Sequence, residues 1–214
     1  MLHCSMELGD SRQAMPRQLP VVYRKLAQAE ASLLTAHLRR LDPRDWRARF
    51  QGGGDRDSVR LHTKGLDWNQ IVVLGAFIDG RLRGVAELHP FMTASGKMGE
   101  IALTVEARFQ NRGIGTELLR RAINAARNRG IGQIQLLFMT DNHRMRRLIE
   151  KFSGAVANDL DQSEGRIKPL PSTFATLLEE WVEDSDTVGA QLRRALRPLM
   201  RPARVRLATW GSQG

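Results

Sequence analysis

Cysteine is almost missing from this 214-residue chain: Cys4 is the only one. A single thiol forms no internal disulfide, and Cys4 stands apart from any Cys/His cluster, so no disulfide framework, zinc site or covalent cysteine mechanism is expected. Tyrosine is equally scarce, with Tyr23 alone. No apolar run approaches the length of a membrane span. Met1 to Gln18 lacks the apolar core of a signal peptide, which makes the cytoplasm the expected location; Met6 and Met15 offer alternative starts. Internal repeats are absent. A Gly-Lys-Ser/Thr phosphate loop is absent too, which excludes that class of nucleotide enzyme.

Apolar residues make up 42% of the chain and charged residues 26%, a composition that builds a folded core. The formal charge is +10 and the isoelectric point is about 11.0. Such a surface attracts anions: nucleic acid, anionic lipid, acidic protein or a polyphosphate. The excess is partly local, because Arg193, Arg194, Arg197, Arg201, Arg204 and Arg206 crowd the C-terminal end. With one Tyr, four Trp and seven Phe, and no helix-turn-helix or zinc spacing, nucleic-acid binding is not the expected role.

Three regions are expected: a tail at residues 1–18, a folded domain at residues 19–168, and a helical extension with an Arg-rich tail at residues 169–214. Val21-Val22-Tyr23 suggests a short strand. Leu26, Leu33, Leu34, His37, Leu38 and Leu41 recur at helical spacing until Asp42-Pro43 breaks the pattern. Asp45 to Phe50 adds a turn, Gly52-Gly53-Gly54 a loop, and Asp55 or Asp57 caps a second helix running to Lys64. The period then changes. Asp79-Gly80 joins residues 70–79 and 81–89 into an antiparallel hairpin. Phe91 to Gly99 reads as a loop and Glu100 to Val105 as a strand. A helix follows Gly115, with Leu118, Leu119, Ala122, Ile123 and Ala126 on one face and Gly130 just past its end. Ile134 to Met139 is a strand, and Asn142 caps a helix carrying Met145, Leu148, Ile149 and Phe152. Segments near Val156 and Arg166-Ile167 complete the sheet. Thr173 to Leu196 is amphipathic, as one helix or two. The order is that of a mixed α/β sheet with helices on its faces.

Chemistry concentrates where the strand Glu100–Val105 runs into Gln110-Asn111-Arg112-Gly113-Ile114-Gly115 and the turn opens directly into a helix. The first N–H groups of a helix lack partners and, with the helix dipole, attract anions. Gly113 and Gly115 keep side chains out of the way. Arg112 adds charge, and Gln110 and Asn111 add donors. The loop suits a pyrophosphate. A dinucleotide-binding fingerprint would need a third glycine where Leu118 stands.

These residues match the Gln/Arg-x-x-Gly-x-Gly/Ala motif of the GNAT acetyltransferases. Asn142-His143-Arg144-Met145-Arg146-Arg147-Leu148 resembles the second GNAT motif, and Asp79-Gly80-Arg81-Leu82-Arg83-Gly84 resembles the family's hairpin. The resemblance covers about residues 19–168. The segment from Leu26 to Phe50 further resembles the GNAT domains of bacterial protein-lysine acetyltransferases.

The resemblance implies an α/β GNAT fold, with a mostly antiparallel sheet splayed at its fourth strand and helices on both faces. It implies acetyl-CoA as cosubstrate, no metal, and direct transfer of the acetyl group to a primary amine. By position, Leu103, Thr104 and Val105 would face the pantetheine arm. Gln110, Asn111, Arg112, Gly113, Ile114, Gly115 and Thr116 would meet the phosphates, and Asn142 the arm near the thiol. Glu100 stands where the lysine-acetyltransferase-like domains carry an acidic base, with Glu87 in reserve and His89 two residues beyond it. The family's usual tyrosine acid is missing: the seventh residue after Asn142 is Ile149. Phe152-Ser153-Gly154 ends its helix one residue late. A protein lysine, a small-molecule amine, or a non-catalytic CoA-binding role all remain open, as does a homodimer.

Overall fold

A computed structural model describes residues 20–50, 57–159 and 162–196. The Gly52-Gly53-Gly54 loop, Asp55, the tail at residues 1–18 and most of the C-terminal arginines lie outside the described residues.

Seven strands form one sheet in the order β1-β2-β3-β4-β5-β7-β6. They are β1 Val22–Lys25, β2 Val72–Ile78, β3 Arg81–Thr93, β4 Gly96–Val105, β5 Gln133–Met139, β6 Ala155–Asp159 and β7 Gln162–Ile167. All neighbours are antiparallel except β4 and β5. Among the described residues six α-helices accompany them: α1 Ala31–Leu38, α2 Pro43–Phe50, α3 Ser58–Gly65, α4 Ile114–Asn128, α5 His143–Lys151 and α6 Phe174–Leu196.

The sheet buries both faces, which is why β2 is apolar at every position. On one face Leu74, Ala86, Leu88, Ile101 and Ile134 pack with the α4 stripe of Leu118, Leu119, Ala122 and Ala126, and with Ile149 of α5. On the other, Val73, Phe77 and Val85 meet Leu34 and Leu38 of α1 and Val59 of α3. The α4 face read from the sequence is therefore the observed one. Gly130 takes φ 65° past its end. There the Ile131 N–H donates to Ala126 O and the Gly130 N–H to Arg127 O, the paired bonds that close a helix on a left-handed glycine.

Two readings need correction. Phe91 to Gly99 is no loop: β3 continues to Thr93, the chain turns at Ala94-Ser95, and β4 begins at Gly96. Pro90 lies within β3, past Leu88, where β2 no longer pairs with it, so its missing N–H breaks no β2–β3 ladder bond. The first helix begins at Ala31, after a 3-10 turn at Gln28–Glu30, and stops at Leu38. Asp42-Pro43 then starts α2 rather than merely ending α1. Asp42 Oδ1 accepts from the Arg44 and Asp45 N–H groups at 3.0 and 2.8 Å, and Pro43 fills the first helical position, where no N–H is needed.

The helix α5 ends with Ser153 at φ 56°, a left-handed conformation that costs a residue with a β-carbon. The glycine comes one position later because space, not φ, requires it. A β-carbon on Gly154 would lie 2.4 Å from Ile149 Cγ2 and 3.0 Å from Ile149 O. Gly154→Ala is expected to destabilise the fold by about 1–3 kcal/mol through overpacking. Ser153→Gly should instead stabilise it by up to about 1 kcal/mol. Urea unfolding midpoints of the two variants measure both.

Candidate functional site

The strands β4 and β5 pair through only three rungs, Met98, Glu100 and the Gly99 between them against Gln133–Gln135. From Ile101 onward, β4 has no strand on that side. The gap opens into a cavity of about 920 Å³ lined by Ile101 to Val105 of β4, Leu137 to Met139 of β5, the phosphate-loop candidate, and the faces of α2 and α5. The divergence is maintained from the opposite side of β4. His37 of α1, fully buried, bonds Thr104 Oγ1 through Nε2 at 3.0 Å and Glu106 through Nδ1 at 3.3 Å. Arg40 and Arg83 each donate to the Glu106 carboxylate at 2.8 Å. Burial opposes charge on Glu106, but the hydrogen bonds from His37, Arg40 and Arg83 outweigh it and hold its pKa at about 2.

At the end of β4 the chain turns through Asn111 at φ 59° and Gly113 at φ 79°, and α4 begins at Ile114. No side chain caps this helix, so its leading N–H groups are left for something else. A β-carbon on Gly115 would find only ordinary contacts with Leu103, Leu148 and Val105. The first turn thus sits directly against the cleft floor.

The structure brings most of the expected residues together. Leu103, Thr104, Val105, Gln110, Asn111, Gly113, Gly115, Thr116 and Asn142 all line the cavity. Asn142 also caps α5, its Oδ1 accepting from the Met145 N–H at 3.1 Å. Ile114 is buried in the core, so only its backbone can face a ligand. The exposed Arg112 lies outside the lining, with its guanidinium 5.8 Å from the Phe109 ring centre. Ile149 points into the core, and Leu148 and Lys151 take the cleft-facing positions of α5.

The side chain of Gln110 is already engaged. Its amide donates to Asp45 Oδ2 at 2.7 Å and to Val105 O at 2.9 Å, and its oxygen accepts from Arg144. One residue of the loop therefore ties α2 and α5 across the cleft mouth. Burial and the nearby Asp42 push the Asp45 carboxyl up.

Sequence reasoning missed the cations. Arg44, Arg47 and Arg49 of α2 and Arg144, Arg147 and Lys151 of α5 line the same cavity, against only Asp45 and Asp141. In α5 the spacing 144, 147, 151 was a readable signal, since it repeats at one helical turn. The α2 set gave none, because nothing local says which way that helix faces.

Glu100 occupies the last rung before the gap. It pairs across the sheet with His89 and on the other side with Gln135, whose side chain is 3.5 Å from Glu100 Oε2. It is partly exposed and sits beside the cavity lining rather than in it. Glu87 is on the same sheet face, 1% exposed. It accepts from Arg49 at 2.9 Å and His62 at 2.8 Å, with His89 at 3.5 Å. Burial alone would raise its pKa, but the Arg49 guanidinium and the two imidazoles hold it well below the usual carboxylate range.

A family model described as Acetyltransferase (GNAT) family matches residues 36–155, more than half of the chain. No curated protein matches in sequence. The fold is similar to that of the GNAT domain of S. lividans PAT, with TM-score 0.59 and 19% identity over 68% of this chain and 89% of that one. YncA of Salmonella typhimurium, solved with its cofactor acetyl-CoA, gives 0.57 and 17% over 72% and 96%. The PaiA N-acetyltransferase of Thermoplasma acidophilum, solved with coenzyme A, gives 0.52 and 20% over 70% and 99%.

Two outcomes are expected from the buried carboxylates. Glu87→Gln leaves Arg49 and the imidazoles facing an uncharged amide in the interior. The loss of stability should be about 3–5 kcal/mol, read from urea unfolding. For Glu106, the folded pKa of about 2 lies below the ordinary 4.5. Its contribution is therefore complete above pH 4.5 and is lost as the pH falls toward 2. A series of unfolding free energies across that range should show the slope in the wild type and a shallower one in Glu106→Gln.

Proposed function

The chain belongs to the GNAT acetyltransferase family, and from that premise we propose that it transfers an acetyl group from acetyl-CoA to a primary amine by direct attack. The observation that carries this reading is the gap beside β4 ending at an uncapped helix start. The residues present fit the cosubstrate. Gly113, Gly115 and the first α4 amides suit a pyrophosphate, the cationic α5 face suits further phosphate, and the unpaired edge of β4 at Leu103 to Val105 suits the amides of a pantetheine arm. The cosubstrate supplies the thioester carbonyl.

Glu100 is the proposed base. An amine must lose a proton to attack, and the acceptor of that proton needs a free lone pair near neutral pH. Glu87 is poorly suited, because its oxygens are taken by Arg49 and His62 and its charge is strongly held. Glu100 is partly exposed, lies on the sheet face of Ala102, which lines the cavity, and makes one long contact with Gln135. A backbone N–H on the free edge of β4 is the natural donor to the oxyanion. With Ile149 in the core, departure of the thiolate falls to solvent or to cations such as Lys151 on the cleft wall.

A protein lysine is the proposed acceptor. The likeness to S. lividans PAT in fold and the sequence resemblance of Leu26 to Phe50 support it. A small-molecule amine is the second reading, favoured by the size of the cavity alone.

Thiol release from acetyl-CoA with a panel of amines and proteins tests the activity, with mass spectrometry locating the acetyl group. Glu100→Gln should lower kcat by about 10²–10⁴ while calorimetry finds CoA binding unchanged. Wild-type turnover in that variant sinks the assignment of the base. Gly113→Asp places a carboxylate and a β-carbon at φ 79° and should weaken CoA binding by at least about tenfold, or 1.4 kcal/mol. Unaltered affinity would remove the loop from the site.

A further inference from the structure

The sheet face that carries Glu100 also carries a cluster of ionisable side chains. Strands β3 and β4 set His89 directly across from Glu100, and Glu87 directly across from Ala102. Directly opposed residues of an antiparallel pair share a face, with β-carbons about 4.5–5.5 Å apart. Glu100 therefore stands between His89 on one side and Gln135 of β5 on the other. An amide takes up no proton, whereas an imidazole does. The helices packed on this face add Arg49 from α2 and His62 from α3, both closed on Glu87.

The oxygens of Glu87 are divided among these groups. Oε1 accepts from Arg49 at 2.9 Å, while Oε2 faces Nε2 of His62 at 2.8 Å and Nε2 of His89 at 3.5 Å. A carboxylate oxygen calls for a donor opposite it, so the neutral His89 ring carries its proton on Nε2 and its basic lone pair on Nδ1. The side chain of His89 is 31% exposed, whereas that of Glu87 is 1% exposed. One end of the His89 ring is thus held by a buried anion, and the ring as a whole still reaches water.

Acetylation of an amine sets a proton problem that this arrangement answers. At neutral pH a primary amine arrives as the ammonium ion. Its nitrogen carries three protons, and the amide nitrogen of the product carries one. Of the two lost, one ends on the thiolate to give the thiol. The other must leave the site in every turnover. Glu100 is only partly exposed, and an acceptor amine that reaches it covers more of it.

We propose that His89 is the proton relay of this site: Nδ1 takes the proton from the Glu100 carboxyl and hands it to water, while Glu87 orients the ring through Nε2 and stabilises the imidazolium. The inference rests on Glu100 being the base proposed above, and His89 acts through it without touching the amine. Carboxylic acids are stronger acids than imidazolium ions, so the transfer runs downhill. The ring gains one proton on Nδ1 and loses one to solvent, and nothing else is consumed.

The test uses the full chain, acetyl-CoA and whichever amine of the panel above reacts fastest. His89→Ala should lower kcat at least about tenfold and leave both KM values little changed. Added imidazole should restore much of that loss, because a free ring can fill the space and accept the proton. His62→Gln removes the other imidazole on the same carboxylate oxygen, and neither it nor the wild type should respond to imidazole. Nitrogen NMR needs no turnover: the neutral His89 ring, assigned by its loss in His89→Ala, should carry its proton on Nε2. A ring protonated on Nδ1 has no lone pair there for the Glu100 proton and overturns the relay. A His89→Ala variant as fast as the wild type overturns it too, as does one that is slowed but indifferent to imidazole. In both cases a slow Glu100→Gln leaves the base in place. Unchanged turnover in Glu100→Gln removes base and relay together, and a wild type that acetylates no amine removes the proposed function and the relay with it.

Discussion

The site depends on β4 being held away from β5. Neighbouring strands gain a hydrogen bond at every second residue by closing up, so a gap in a sheet needs a restraint. Here the restraint is applied from behind. Thr104 and Glu106 point to the face opposite α4, and His37 reaches both, while Arg40 and Arg83 complete the Glu106 carboxylate. The last such position of β4, Thr104, and Glu106 just past its end are therefore tied to the α1 region and β3. The phosphate-loop candidate begins at Gln110, one 3-10 turn beyond Glu106, so the restraint lies close to where the loop starts. The core on the α4 side completes the arrangement, with Leu103 and Val105 packed beneath the first turn of that helix.

What could be read from the sequence follows from how local each feature is. The loop from Gln110 to Gly115 and the cap at Asn142 are short backbone motifs, and the turn, the helix start and the cap fall at these residues, with Arg112 outside the cleft lining and Ile114 in the core. The helix and strand periods of α4, β2 and β5 were equally local. Clusters assembled by the fold were not readable. Glu87 meets Arg49 and His62, which lie 38 and 25 residues away, and no spacing announces such a meeting. Glu106 collects His37 and Arg40 in the same way. The continuation of β3 past His89 was hidden for a different reason: a proline is tolerated at position 90 only because β2 has already ended there, which is a fact of the fold. The helix α6 teaches a further limit. Periodicity divides a helix into two faces without saying which one turns inward. That choice was made by Arg120, Asn124, Asn128 and Arg129 on the outer side of α4, which bond Thr176, Glu179 and Glu180 of α6.

Much of the chain's positive charge is spent internally. Arg24 is closed on Glu30, Arg49 on Glu87, Arg83 on Glu106 and Arg120 on Glu117 and Glu179. The cations of the cleft are arranged differently. Arg47, Arg147 and Lys151 face the cavity with few acids nearby, and Arg144 rests on the neutral Gln110. A net charge of +10 is thus informative only once the paired arginines are set aside. What is left over lies on the cleft wall, where it would favour an anion.

The three rungs joining β4 to β5 also divide the sheet mechanically. Strands β1 to β4 form one plate and β5 to β7 another, joined edge to edge only at Met98 to Glu100. Two plates fastened at one end behave as a lever pair. A few degrees of rotation at the fastened end change the width of the open end by much more than they disturb any single bond. Widening the open end would therefore leave every other strand pairing intact. Glu100 sits at the fulcrum, where such motion displaces atoms least. A carboxylate placed there would keep its position while the walls of the cleft adjust.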